Sequence, residues 1–152
     1  MLLTFFRVAP KMAQLISVGL FGISLFSDAF YRHVSDSQSA FPGWQLFFFG
    51  WSAIPHGGAS WLANPALCAA WLYFARGYPI RSAGLSVLGL ALMASFLSVD
   101  EVTSVYASSS AAVAGYGVGY KLWVASAIVS LLGGIIAVMP TEFLNPSAGD
   151  SP

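Results

Sequence analysis

Several groups of residues carry side chains whose type and spacing suit chemistry. His33 and His56 each stand at the edge of an apolar run, where two imidazoles could approach each other as ligands to a metal, a haem or a quinone. Haem held between helices draws on histidines at depth inside the spans, and neither is there, so both are read as amphipathic side chains at a boundary. Asp100 and Glu101 form a carboxylate couple of the kind used for acid–base work or cation binding. Adjacent positions on a helix point in different directions, which makes this pair a solvated helix end. Asp28 falls in the last turn of the first apolar run, where a charge is expensive unless it meets water or a partner. Arg32, four residues on, supplies that partner, and Asp28 with Arg32 is expected to form a structural ion pair.

Two further patterns concern backbone and packing. "AGYGVGY", Ala114 to Tyr120, contains the Gly-Tyr-Gly of a potassium-selective filter, whose carbonyls replace the hydration shell of the ion. Val113 stands where a filter threonine would supply its hydroxyl, and no aromatic pore helix precedes it. The segment is therefore read as a glycine-loosened entry to a helix, with Tyr116 and Tyr120 at a membrane boundary. Ser126, Ser130 and Gly134 recur every four residues and make a stripe of small side chains that lets another helix approach closely. Ala91 and Ser95, on the preceding span, offer a matching surface. Cys68 has no partner for a disulfide and lies in an apolar run, so it is a packing residue. No catalytic residue, cofactor or metal is expected from these patterns.

The elements that position these residues follow from composition. Of 152 residues, 57% are hydrophobic and 8% charged, against about a quarter charged in a soluble domain. The mean hydropathy is +0.75. Six basic and six acidic side chains cancel, which leaves no basic surface for nucleic acid. About 20 apolar residues cross a hydrocarbon core roughly 30 Å thick, and the sequence is expected to do so with four segments. The first, third and fourth run from about Met12 to Phe30, Ser82 to Val99 and Tyr120 to Met139. The second must begin near Ala59 to Trp61 and pass through Pro65, because Pro65 to Ala75 alone is too short. Before it, "GWQLFFFGW" brackets a short apolar piece with Trp44 and Trp51, as expected of a segment in the headgroup region; a re-entrant half-helix is the rival reading. "IPHGG" becomes the turn into the second span, with Pro55, Gly57 and Gly58 as its structural residues. The expected fold class is an all-α integral membrane four-helix bundle with an interfacial segment before the second span. Residues 1–145 form one domain and 146–152 a disordered tail. The stretch from Asp100 to Gly119 is expected to hold a short surface helix.

Arg7, Lys11, Arg76 and Arg81, four of the six basic residues, share one side of this arrangement, which places both termini in the cytoplasm. "GW" before the second span, "WLANP" (Trp61 to Pro65) entering it and "GYGVGYKLW" (Gly115 to Trp123) entering the fourth resemble a loose group of small, uncharacterised four-span bacterial inner-membrane proteins. The resemblance implies topology and a bacterial inner-membrane location, and it assigns no activity to particular residues. With no acid–base chain, nucleotide loop or metal cluster in the sequence, the expected function is that of a non-enzymatic interaction protein: an accessory subunit of a membrane complex, or an immunity-type protein against a membrane-acting toxin. Its partners are the lipid bilayer and a protein in the membrane, or a second copy of itself. The alternative is a homo-oligomeric channel or small transporter, and a lipid-acting enzyme stands third.

Overall fold

The computed structural model describes residues 2–34, 37–56, 58–99, 101–103 and 110–139. Among them are three helices long and apolar enough to cross a membrane, spanning Val8–Leu25, Pro79–Ser98 and Val118–Val138. The first belongs to α1 (Leu2–Leu25), the second to α4 (Pro79–Ser95) with a 3-10 turn over Phe96–Ser98, and the third is α5 (Val118–Val138). Between α1 and α4 lie α2 (Gly43–Phe49), a 3-10 segment over Gly50–His56, another over Ala59–Leu62, and α3 (Ala63–Ala75). The second 3-10 segment runs directly into α3, so the helical path does begin at Ala59, ahead of Pro65. Pro79 starts α4 in its first turn, where a missing N–H costs nothing.

The long helices alternate in direction. Gln14 and Ser17 of α1 meet Ser130 and Ser126 of α5, Ser86 of α4 meets Ser130, and Gly89 of α4 faces Ala63 at the start of α3. The turn from α3 to α4 has a defined chemistry. Gly77 takes the left-handed conformation, with φ of 81°, its N–H donates to Phe74 O at 3.0 Å, and Tyr78 N–H donates to Tyr73 O at 2.9 Å. These two bonds satisfy the last carbonyls of α3 in the manner of a Schellman cap. The rings of Tyr73 and Tyr78 close the turn at 6.2 Å, and the Arg81 guanidinium covers both, at 5.7 and 5.0 Å from their centres. Nothing crowds Gly77, so Gly77→Ala is expected to cost only the left-handed penalty, about 1–2 kcal/mol, read as a lower unfolding midpoint in mild detergent.

The opposite end carries a sheet, which corrects the all-α expectation. β1 (Asp28–Val34), β2 (Ser37–Pro42), β3 (Glu101–Thr103) and β4 (Ser110–Tyr116) form four antiparallel strands in the order β2-β1-β4-β3. The surface helix expected between Asp100 and Gly119 is thus replaced by β3 and β4 among the described residues. α1 ends at Leu25, short of Phe30, because Phe30 is needed in the sheet. Phe30 is fully buried, pairs with Phe41 and Tyr116 across the two ladders, stacks on the Phe41 ring at 5.3 Å and meets Phe96 edge-on at 5.7 Å. One aromatic side chain thereby joins three strands to the end of α4.

The segment from Trp44 to Trp51 folds as α2 and the start of the following 3-10 turn. No residue of α2 is buried, and Trp44, Phe48, Phe49 and Trp51 are exposed. Its inner contacts include Phe47 against Phe21 of α1, 5.8 Å between ring centres, and Phe47 O, which accepts from Trp61 Nε1 at 2.9 Å. Pro55 lies within the 3-10 segment, and Gly57 lies outside the described residues. Gly58 has φ of −75°, a value open to any residue, so the reason for glycine there is steric. A Cβ at Gly58 would stand 2.7 Å from Ala53 Cβ and 2.9 Å from its carbonyl oxygen. The tail from 146 to 152 also lies outside the described residues.

Candidate functional site

The most concentrated group of polar side chains among the described residues is inside the helical core. Ser126 and Ser130 are fully buried on α5, as are Ser17 on α1 and Ser82 and Ser86 on α4, and Gln14 and Asn64 are buried nearby. Helical periodicity puts them there: Gln14 and Ser17 are three residues apart, Ser82 and Ser86 four, and Ser126 and Ser130 four, so each pair shares one face.

Buried polar atoms need partners, and most of these find them across helices. Gln14 Nε2 donates to Ser130 O at 2.9 Å, and Ser130 Oγ donates to Gln14 Oε1 at 3.0 Å. Ser86 Oγ lies 3.0 Å from Ser130 Oγ and 3.1 Å from Ser82 O, and its single proton serves one of the two at a time. One helical turn back along α5, Ser17 Oγ donates to Ser126 O at 2.7 Å and accepts from Trp71 Nε1 at 3.0 Å. Ser126 Oγ turns back to Trp123 O at 2.6 Å. Trp123 Nε1 donates to Asn64 Oδ1 at 3.0 Å, tying α5 to the start of α3. Ser82 Oγ is buried and has no partner.

This ladder contains only amides, hydroxyls and indoles. None of its members changes charge near neutral pH, so it cannot serve as an acid–base couple or store a proton. It can fix the rotation and depth of four helices against one another, because in an apolar surrounding each misaligned pair would leave donors unmet. Glycines bring the helices close enough. A Cβ on Gly134 would stand 3.1 Å from Ala83 Cβ, and one on Gly133 would stand 2.9 Å from Gln14 Nε2.

The stripe Ser126, Ser130 and Gly134 therefore lies against α1 and α4. Ala91 and Ser95 do not meet it: both are exposed, and Ser95 Oγ folds back onto Leu92 O at 2.7 Å. The inward face of α4 is Ser82, Ser86, Gly89 and Met93, and a step of two residues turns a helix by about 200°. Ala91 and Ser95 have the right spacing on the wrong side. Gln14, Ser17, Asn64 and Ser86 are the members that the sequence reading missed. Their signal was a polar side chain at helical spacing within an otherwise apolar segment.

The ion pair expected of Asp28 and Arg32 meets a correction in geometry. Both lie on β1, where four residues span about 13 Å rather than one helical turn. Asp28 is exposed, and the Arg32 guanidinium sits 5.2 Å from the centre of the Phe41 ring, with its Nε buried and unpartnered. His33 falls on β1 and His56 at the end of the 3-10 segment. Among the described residues no group of three His, Cys, Asp or Glu side chains is placed to hold a metal ion.

These features define the class coarsely: a mostly helical protein with three helices fit by length and composition to cross a membrane, joined at one end by a small sheet. No family model, curated protein or solved structure matches this chain.

Proposed function

We propose that this protein is a non-enzymatic interaction protein of the membrane, in which a four-span helical core holds a small sheet outside the bilayer for a protein partner. A membrane-complex subunit and an immunity-type protein both fit this reading. The fourth crossing is the path from Ala59 to Ala75. Four residues in 3-10 geometry and thirteen in α-helix give about 27 Å, close to a hydrocarbon core of roughly 30 Å. Four crossings put both termini on one side with Arg7, Lys11, Arg76 and Arg81, which the positive-inside rule makes cytoplasmic, and the sheet on the other.

The observation that carries the reading is where the polar groups point. Gln14, Ser17, Ser86, Ser126 and Ser130 are engaged with one another, and Asn64 with Trp123, inside the chain, whereas the outward positions Ile128, Leu132 and Ile135 of α5 are apolar. A channel built from several copies would need polar groups on an outward face. The sheet, by contrast, ends in two edge strands, β2 and β3, and edge backbone is where a partner's strand can add.

Photo-crosslinkers placed in intact cells test the idea. One at Ala40, exposed on edge strand β2, is expected to yield a discrete adduct with another protein; one at Leu132, exposed on α5, is expected to yield none. A homomeric adduct from Leu132, together with solute leakage from liposomes holding the purified protein, would instead move the channel reading ahead.

A further inference from the structure

Between α4 and α5, on the outer surface of the helical core, runs an open groove of about 530 Å³. Its walls are Leu90, Ala94 and Leu97 on one side and Val124 and Ile128 on the other, and Lys121 stands at the end nearest the sheet. We propose that this groove binds an anionic phospholipid, with an acyl chain lying along the apolar walls and the phosphate at the Lys121 ammonium. The proposal rests on the membrane reading given above.

Charge complementarity selects the occupant. Lys121 is exposed and among the described residues no carboxylate pairs with it. It stands at the start of α5, whose first turn holds no acidic residue, so within this helix its charge adds to the positive end of the dipole. Two sources of positive potential therefore converge at one end of an apolar trough, which is the pattern of an amphiphile with an anionic head.

Depth agrees with this assignment. Tyr116 and Tyr120 pack with ring centres 5.0 Å apart beside Trp123, and such aromatic clusters favour the headgroup level. From Lys121 to Ile128 the helix descends about 10 Å, within the roughly 15 Å of one leaflet. A second copy of the chain fits less well. An apolar helix laid in the groove would cover Lys121 without supplying an anion, and a two-fold pairing about the groove would bring two lysines together.

The test uses the full chain in mild detergent, stripped of lipid and titrated with phosphatidylglycerol or phosphatidylcholine of identical acyl chains, with bound lipid counted by native mass spectrometry. Wild type is expected to retain phosphatidylglycerol in preference to phosphatidylcholine. Lys121→Gln should reduce that preference about fivefold, the effect of one cation beside a headgroup, with phosphatidylcholine retention unchanged. Ala94→Trp, which fills the trough from an exposed position, should lower retention of both lipids. An unaltered preference in Lys121→Gln, or undiminished retention in Ala94→Trp, would overturn the site. A halving of mass in Ala94→Trp would assign the groove to a second copy instead. Alkaline extraction of cell membranes separates the two failures: release of wild type into the supernatant would end the membrane reading and this site with it, whereas protein that stays in the membrane and shows no lipid preference would sink the site alone.

Discussion

Gly117→Val is expected to lower stability by about 3–5 kcal/mol and to loosen the sheet from the helical core. The reason is contact and not backbone freedom. Gly117 has φ of −81° and ψ of −179°, extended values open to any residue. A Cβ there, however, would land on the carbonyl oxygen of Asp28 and stand 2.8 Å from its carbonyl carbon. Backbone at the end of β1 cannot swing aside as a side-chain tip can, so the strand has to retreat. With it would go the bond from Gly117 N–H to Ala29 O, 2.8 Å long, and the neighbouring Phe30–Tyr116 pair. Overpacking alone costs about 1–3 kcal/mol, occasionally more, and lost hydrogen bonds in a half-buried ladder add about 1 kcal/mol or so each. Gly115, two residues earlier on β4, has nothing within 4 Å of its would-be Cβ, so Gly115→Ala should stay within about 0.5 kcal/mol of wild type. Unfolding in detergent, with amide exchange followed on β1 and β4, distinguishes the two. Similar losses from both substitutions would mean that the glycines serve chain flexibility, as a sequence-only reading of "GYGVG" suggests.

That contrast marks the boundary of what this sequence discloses. Hydropathy located α4 and α5 to within about four residues at each end, because a long apolar run between polar segments has few other destinations. It also required the helical path before Pro65 to start near Ala59. The strands were a different matter. "SAAVAGY" has neither the alternation nor the β-branched density that announces a strand, and it becomes β4 only because Phe30 and its neighbours, more than 80 residues away in sequence, lie alongside. Nonlocal pairing of this kind leaves no local pattern. Asp28 was misplaced for a related reason. Ala29 and Phe30 are apolar enough to extend the first span on paper, whereas in space Gly43 sits against the last turn of α1 and its N–H bonds Ser27 O at 2.9 Å. The helix stops where another segment needs the room.

Within the helical core the sequence disclosed spacing but not phase. Small and polar residues four apart were visible on α5 and on α4. Choosing between Ser82–Ser86 and Ala91–Ser95 required knowing which side of α4 faces α5. Polarity offered a clue, since a buried hydroxyl within hydrocarbon is tolerated where it is bonded, and Ser86 on the inner face is so bonded: its Oγ reaches Ser130 Oγ and Ser82 O. Ala91, by comparison, has nothing that needs a partner.

Ser130→Leu is the second large effect, an expected loss of about 2–5 kcal/mol with no change in oligomeric mass. Ser130 is fully buried where α1 and α4 both approach α5. Its hydroxyl bridges Gln14 Oε1 and Ser86 Oγ, each at 3.0 Å. A leucine would enter a contact with no slack, since even a single Cβ on neighbouring Gly133 would stand 3.2 Å from the Pro10 carbonyl oxygen. The steric part is worth about 1–3 kcal/mol. The orphaned Gln14 oxygen adds about 1–2 kcal/mol, a range set by how much a buried polar group recovers when lipid and helices are its only neighbours. Ser130→Ala separates these parts, because it removes the hydroxyl without adding bulk, and it should cost about 1 kcal/mol. Ala91→Leu, on the exposed face of the same core, should cost less than about 0.5 kcal/mol. Thermal unfolding and mass measured in one detergent decide among them. Equal losses from the alanine and the leucine would assign the whole effect to the hydrogen bonds. A neutral leucine would mean that α1, α4 and α5 are not in close contact at this level, and a changed mass would place Ser130 between chains, against the direction in which its hydroxyl and carbonyl are bonded.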